Sequence, residues 1–146
     1  MRRSQLAGFG VITEDHNYLH TADVGGSQVW LHRKGAIAAR ENEPGIIPGS
    51  MGSESFHVSG RGNSEALWSS SHGAGRVMSR SEARRRIKPQ QLKKELDGVW
   101  YDHRQAARLV DEAPSAYKDI SKVMKAQSSL TKIVRRLRPL LSYKGS

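Results

Sequence analysis

Ser69-Ser-Ser-His-Gly-Ala-Gly-Arg76 divides the chain into two unlike halves. A histidine stands directly before a Gly-X-Gly turn and an arginine, with three serines on its other side. Glycines at 73 and 75 permit backbone conformations closed to other residues, so successive N–H groups can converge on an anion. Arg76 supplies a planar fork for phosphate oxygens. A neutral imidazole placed beside such an anion is a nucleophile at cytoplasmic pH, which makes His72 the candidate catalytic residue. The same residues also fit an ordinary glycine turn leading into a following helix, with His72 incidental.

Charge changes sign of purpose at this point. Residues 1–78 carry 7 Lys+Arg and 7 Asp+Glu, whereas residues 79–146 hold the other 17 of 24 basic residues against 7 acidic ones, so the whole +10 net charge lies downstream. That asymmetry points to a polyanionic partner, most often nucleic acid. With 36% apolar and 26% charged residues the chain has a globular composition, and 146 residues suffice for one modest core. It contains no cysteine, which excludes disulfides and cysteine zinc sites and suggests an intracellular, cytoplasmic setting. Glycines and Glu14-Asp15 interrupt the basic, apolar start before an export signal develops, and no apolar run approaches the roughly 20 residues of a membrane span.

Upstream of the histidine the pattern is of short strands joined by glycine loops. His16 and His20 are four apart, a spacing that places both on one face of a helix and is compatible with an incomplete metal pair. Gly25-Gly26-Ser27 reads as a turn and Gln28-Val-Trp-Leu-His32 as a strand delivering Arg33-Lys34-Gly35-Ala36. Ile46-Ile47 and Phe56-His-Val-Ser59 read as further strands. Between them, Pro48-Gly-Ser-Met-Gly-Ser-Glu-Ser55 has the small residues and hydroxyls expected where backbone meets a ligand.

Downstream the pattern becomes helical and basic. Ser79-Arg-Ser-Glu82 is a capping box opening a helix of about two turns before Pro89, with Arg84, Arg85 and Arg86 along it. Gln90 to Asp97 reads as a short helix ended by Gly98, Val99-Trp-Tyr101 as a strand, and Asp111 to Lys118 as an irregular loop. From Asp119, apolar residues at 120, 123, 124, 130, 133, 134 and 137 predict a single long helix stopped by Pro139. The expectation is one mixed α+β fold, with residues 1–13 atypical, 14–78 a strand-and-loop half, and 79–146 a basic helical half.

Several stretches, taken in order, match one family: His16-Asn17-Tyr18, His32-Arg-Lys-Gly-Ala36, Pro44-Gly-Ile-Ile-Pro-Gly-Ser-Met-Gly52, Ser71-His-Gly-Ala-Gly-Arg76 with Met78-Ser-Arg80, Asp111-Glu-Ala-Pro114 with Ala116-Tyr-Lys-Asp119, and Lys144-Gly145. They resemble the RtcB family of tRNA-splicing RNA ligases over residues 14–145, corresponding to the C-terminal portion of that family's fold. The resemblance implies joining of an RNA 3′-phosphate or 2′,3′-cyclic phosphate to a 5′-hydroxyl, using GTP and Mn²⁺, in tRNA splicing or RNA repair.

On this resemblance His72 would take GMP from GTP before passing it to the RNA end. Asn17, Pro48, Gly49, Ser50, Met51, Ser55, Gly73, Ala74, Gly75, Tyr117 and Lys144 would contact the guanylate. Arg33, Lys34 and Arg76 would contact phosphate or RNA, and His16 would be a Mn²⁺ ligand. The family's other metal ligands, an aspartate, a cysteine and further histidines, belong to a portion upstream of the stretch matched here. The alternative that follows is an RNA-binding fragment lacking a complete metal set.

Overall fold

The computed structural model describes residue 15 and residues 17–144. Strands β1 (Asn17–Val24) and β2 (Ser27–Lys34) form an antiparallel hairpin in the register Asn17↔Lys34 to Val24↔Ser27. Gly25 and Gly26 both have positive φ, +62° and +84°, as a tight hairpin turn requires. The segment carrying His20 is therefore strand rather than helix, because Tyr18, Leu19, Thr21 and Val24 have β2 as a pairing partner across that turn. His16 lies outside the described residues.

Two more small sheets complete the upstream half. β3 (Ala36–Ala38) pairs with β6 (Ser69–Ser71), so the serines before His72 are themselves a strand. β4 (Pro44–Ile47) and β5 (Ser55–Gly60) belong to an antiparallel sheet of order β4-β5-β7, whose third strand is β7 (Thr131–Leu137). Along β5 the period-two alternation buries Phe56 and Val58. These side chains meet Ile37, Ile47, Ala74, Ile120 and Met124 in one core cluster.

The downstream half supplies four short helices. In α1 (Arg80–Arg86) the Ser79 hydroxyl accepts the Glu82 N–H at 3.1 Å, the expected N-cap, while the Glu82 carboxylate turns to Arg86 at 2.7 Å. Lys88 is extended before Pro89, which opens α2 (Pro89–Glu95). Val99–Tyr101 forms only a single bridge, Trp100 with Leu141, rather than a strand. After α3 (Ala106–Leu109), residues 110–116 make two 3-10 turns. Ala83, Leu92, Leu96, Tyr101, Val110 and Ala113 form a second core cluster, and Tyr117 packs against both.

The long C-terminal helix is absent from the fold. α4 runs only from Ile120 to Ala126, and the apolar residues beyond it belong to β7. No large apolar residue continues the stripe between Met124 and Leu130, and Thr131, Ile133 and Val134 are β-branched, suited to the free edge of β5. Pairing passes from Val58↔Ile133 to His57↔Arg135, so Val134 is an extra, bulged residue. The basic half thus returns a strand to the upstream half. Among the described residues, no helix is long and apolar enough to cross a membrane.

Candidate functional site

His72 leaves β6 into a loop fastened on three sides. Its Nδ1 lies 2.7 Å from the Gly35 carbonyl, and its backbone N–H donates to the same oxygen at 3.3 Å. A carbonyl oxygen only accepts, so in the neutral imidazole Nδ1 carries the proton and Nε2 the ring lone pair. Gly35 has φ +77°, and a Cβ there would stand 3.6 Å from the imidazole. On the second side the Ala74 N–H donates to the Pro48 carbonyl at 3.2 Å, and a Cβ on Gly73 would approach that oxygen to 3.1 Å. On the third, the Val77 N–H reaches the Ala116 carbonyl and the Lys118 N–H reaches the Gly75 carbonyl, bracketing an Arg76–Tyr117 bridge.

Behind this loop, buried Gln127 accepts the Ser71 N–H at 3.0 Å and the Ser71 hydroxyl at 2.9 Å through Oε1. Its Nε2 points at the Met124 sulfur. Gln127 and the Gly35 carbonyl are positions that sequence reasoning missed. Gly35 had a signal, a glycine at a strand end; Gln127 had none.

The Pro48–Ser55 loop lies against the histidine loop, with the Ala74 N–H on the Pro48 carbonyl, and its members differ. Ser50 and Ser53 share a hydroxyl–hydroxyl bond, and the Ser53 Oγ also accepts the Ser50 N–H. The Met51 side chain is buried among Ala83, Leu92 and Leu96, so any contact it offers a ligand is through its backbone. Ser55 opens β5 opposite Leu137, half-buried.

Tyr117, Lys144 and Arg76, widely separated in sequence, meet at Glu112. The Tyr117 hydroxyl donates to Glu112 Oε2 at 2.6 Å, Lys144 Nζ stands 3.5 Å from that oxygen, and Arg76 Nη1 is 3.9 Å from Oε1. Arg76 also stacks over the Tyr117 ring at 4.7 Å and donates to Tyr117 Oη and to the Met78 and Asp111 carbonyls. Burial alone would raise the Glu112 carboxyl, but the tyrosine hydroxyl and then Lys144, Arg80 and Arg76 outweigh it and hold it below its ordinary value. The Tyr117 phenol is raised, by burial first and by the same carboxylate second.

The other cationic candidates separate. Lys34 is exposed at the end of β2. Arg33 is not beside it in function: only 2% exposed, it donates to Ser69 Oγ, Tyr18 Oη and the Leu67 and Trp68 carbonyls. Its guanidinium clamps the hairpin to the turn before β6 rather than facing a phosphate. Asn17 Oδ1 is 3.1 Å from His32 Nε2.

Among the described residues no three His, Asp or Glu side chains converge as a metal would need. The His20 imidazole stacks on Tyr18 at 5.3 Å and lies within 3.5 Å of Arg33 Nη1. Burial and then the Arg33 and Arg40 charges push its pKa down. A permanent cation on that ring opposes a second one, so His20 does not fit Mn²⁺.

Comparison with known proteins agrees with the motif order. The family described as tRNA-splicing ligase RtcB matches residues 3–145, reaching further toward the N terminus than the motifs themselves. The RNA-splicing ligase RtcB of Escherichia coli (strain K12) is 42% identical over 145 residues, covering 99% of this chain and 35% of that protein. The tRNA-splicing ligase RtcB of Archaeoglobus fulgidus is 36% identical over 146 residues, covering 86% of this chain and 30% of its own length. The chain thus spans about a third of the length of these relatives, and it belongs to the RtcB family.

Proposed function

We propose that this chain is the nucleophile-bearing portion of a GTP-dependent RNA ligase that joins 3′-phosphate or 2′,3′-cyclic phosphate ends to 5′-hydroxyl ends. The carrying observation is the His72 imidazole, its Nδ1 held by the Gly35 carbonyl at 2.7 Å, on a loop tied to the Pro48 and Tyr117 segments. Fixing Nδ1 as the donor directs the lone pair of Nε2 toward chemistry, and rigid support keeps it in place. His72 attacks the α-phosphorus of GTP; a P–N bond forms and pyrophosphate leaves. The guanylyl group then passes to the RNA 3′-phosphate, a 2′,3′-cyclic end being first opened by water to a 2′-hydroxyl and a 3′-phosphate; this restores the imidazole, and the 5′-hydroxyl displaces GMP to close the phosphodiester.

Pro48, Gly49 and Ser50 would meet the guanylate by their backbone, Gly73, Ala74 and Gly75 by theirs, and Asn17 and Ser55 at the rim. Tyr117 and Lys144, gathered at Glu112, would hold the base. Lys34 would contact RNA phosphate. The convergence of the 48–55 and 72–76 loops supports grouping these residues.

A second reading is favoured because no metal set converges among the described residues: an RNA-binding portion that catalyses nothing unless the family's upstream ligands accompany it. His16 alone would be one ligand of several. Incubating the chain with Mn²⁺ and α-labelled GTP, with His72→Ala as control, decides between them. Acid-labile label lost in the variant supports the first reading. Absence of label from the wild-type chain, under conditions where a full-length relative is labelled, supports the second.

A further inference from the structure

Only one arginine of the Arg84-Arg85-Arg86 run joins a built groove. Arg84 Nη2 lies 3.0 Å from Asp111 Oδ2, and Arg80 Nη1 lies 3.6 Å from the same oxygen and 3.1 Å from Glu112 Oε1. Asp111 is 2% exposed, so a buried carboxylate holds two outward-reaching guanidinium groups on one wall. Arg86 is engaged elsewhere, with Glu82 on its own helix.

The rest of the lining comes from residues 105–109 and from Lys144. Arg108 and Lys144, with Gln105, Ala107 and Leu109, complete a groove of about 500 Å³. Among the described residues Arg108 makes no ion pair, in contrast to its neighbour Arg104, which is forked onto Asp102. Four cations thus line the groove with Asp111, two of them, Arg80 and Lys144, also ion-paired with Glu112 of the Glu112–Tyr117 cluster.

We propose that this groove carries the sugar–phosphate backbone of the single-stranded RNA whose end is joined, with Arg84 and Arg108 each meeting a phosphate; this rests on the ligase reading. The volume accommodates a nucleotide-sized segment, and two guanidinium groups on separate helices suit successive phosphates along a strand. The polyphosphate of GTP offers the same anionic chemistry, so the test separates the two sources.

The full chain is titrated into a 5′-labelled single-stranded RNA ending in 3′-phosphate, without GTP, over a range of salt concentrations, and separately into labelled GTP. Arg108→Gln should weaken RNA binding about 5-fold or more and reduce the logarithmic salt slope by about 0.7, one phosphate's share for a single strand. Arg84→Gln should do likewise, and Arg108→Gln carries the test if that variant melts early. Lys122→Gln, on the exposed face of α4, should change affinity less than about 2-fold. Equal losses from Lys122→Gln, an unchanged slope in Arg108→Gln, or no RNA binding at low salt would each overturn the proposal. So would a loss of GTP affinity in Arg108→Gln with RNA affinity intact. Guanylylation retained alongside unchanged RNA affinity in Arg108→Gln removes the groove alone, whereas RNA binding through Arg108 with no guanylylation even when the upstream segment of a full-length relative is supplied removes the ligase reading alone.

Discussion

Glu112 shows how one half-buried acid gathers Arg76, Arg80, Tyr117 and Lys144. Its carboxylate is held ionised by the Tyr117 hydroxyl and three cations, so its folded-state pKa lies below the ordinary 4.5. A depressed acid stabilises the fold above that value, and the contribution disappears as pH falls through the folded pKa. His20 acts in the same direction at higher pH: its depressed imidazole resists protonation in the fold, so stability falls as pH drops below the ordinary 6.5. Thermal melts across pH should therefore show two acid limbs. Glu112→Gln should lower stability at neutral pH by on the order of 1 kcal/mol and flatten the lower limb, while His20→Asn flattens the upper one. If neither variant changes its own limb, these side chains are not the titrating groups.

At the scale of elements, the β1–β2 hairpin is held to the rest by Arg33, whose donors are spent on Tyr18, Ser69 and two carbonyls of the turn at 67–68. Arg33→Leu strands those acceptors in a buried place and should cost about 3 kcal/mol by urea denaturation. Arg33→Lys should recover little of it, since an ammonium cannot reproduce the fork. A loss below about 0.5 kcal/mol would mean the hairpin is held by its apolar contacts instead. The hairpin itself is legible in the sequence from Gly25-Gly26, and α1 from Ser79 and Glu82, because turn and cap chemistry is local. β7 is not: Ile133, Val134 and Leu137 sit at helical spacing from Ile120, and only the open edge of β5, remote in sequence, selects strand. The site divides in the same way. His72, its glycines and the Pro48 loop announce themselves by composition, whereas Gln127, Arg108 and the burial of Arg33 and Met51 arise from packing between distant segments.

Considered whole, the molecule holds the His72 loop in place while leaving apolar surface uncovered. Trp30 is 70% exposed and Leu19 57%, on one outer face of the hairpin, and Val134 and Leu137 are exposed on β7. Relatives about three times longer carry the matched section as only 35% of their length, and the described residues assemble no metal set. Exposed aromatic and aliphatic side chains on a strand face are what a further segment of the same fold would cover. The segment of the Escherichia coli relative that precedes its matched section, expressed separately and added in trans, should therefore shift the emission of Trp30 to shorter wavelength and bring Mn²⁺-dependent guanylylation to His72. Trp30→Ser should weaken that association by about tenfold, on the order of 1.4 kcal/mol, without altering the melting of the chain alone. Guanylylation by the chain unaided, undiminished in Trp30→Ser and indifferent to the added segment, would show that the hairpin face has no such partner.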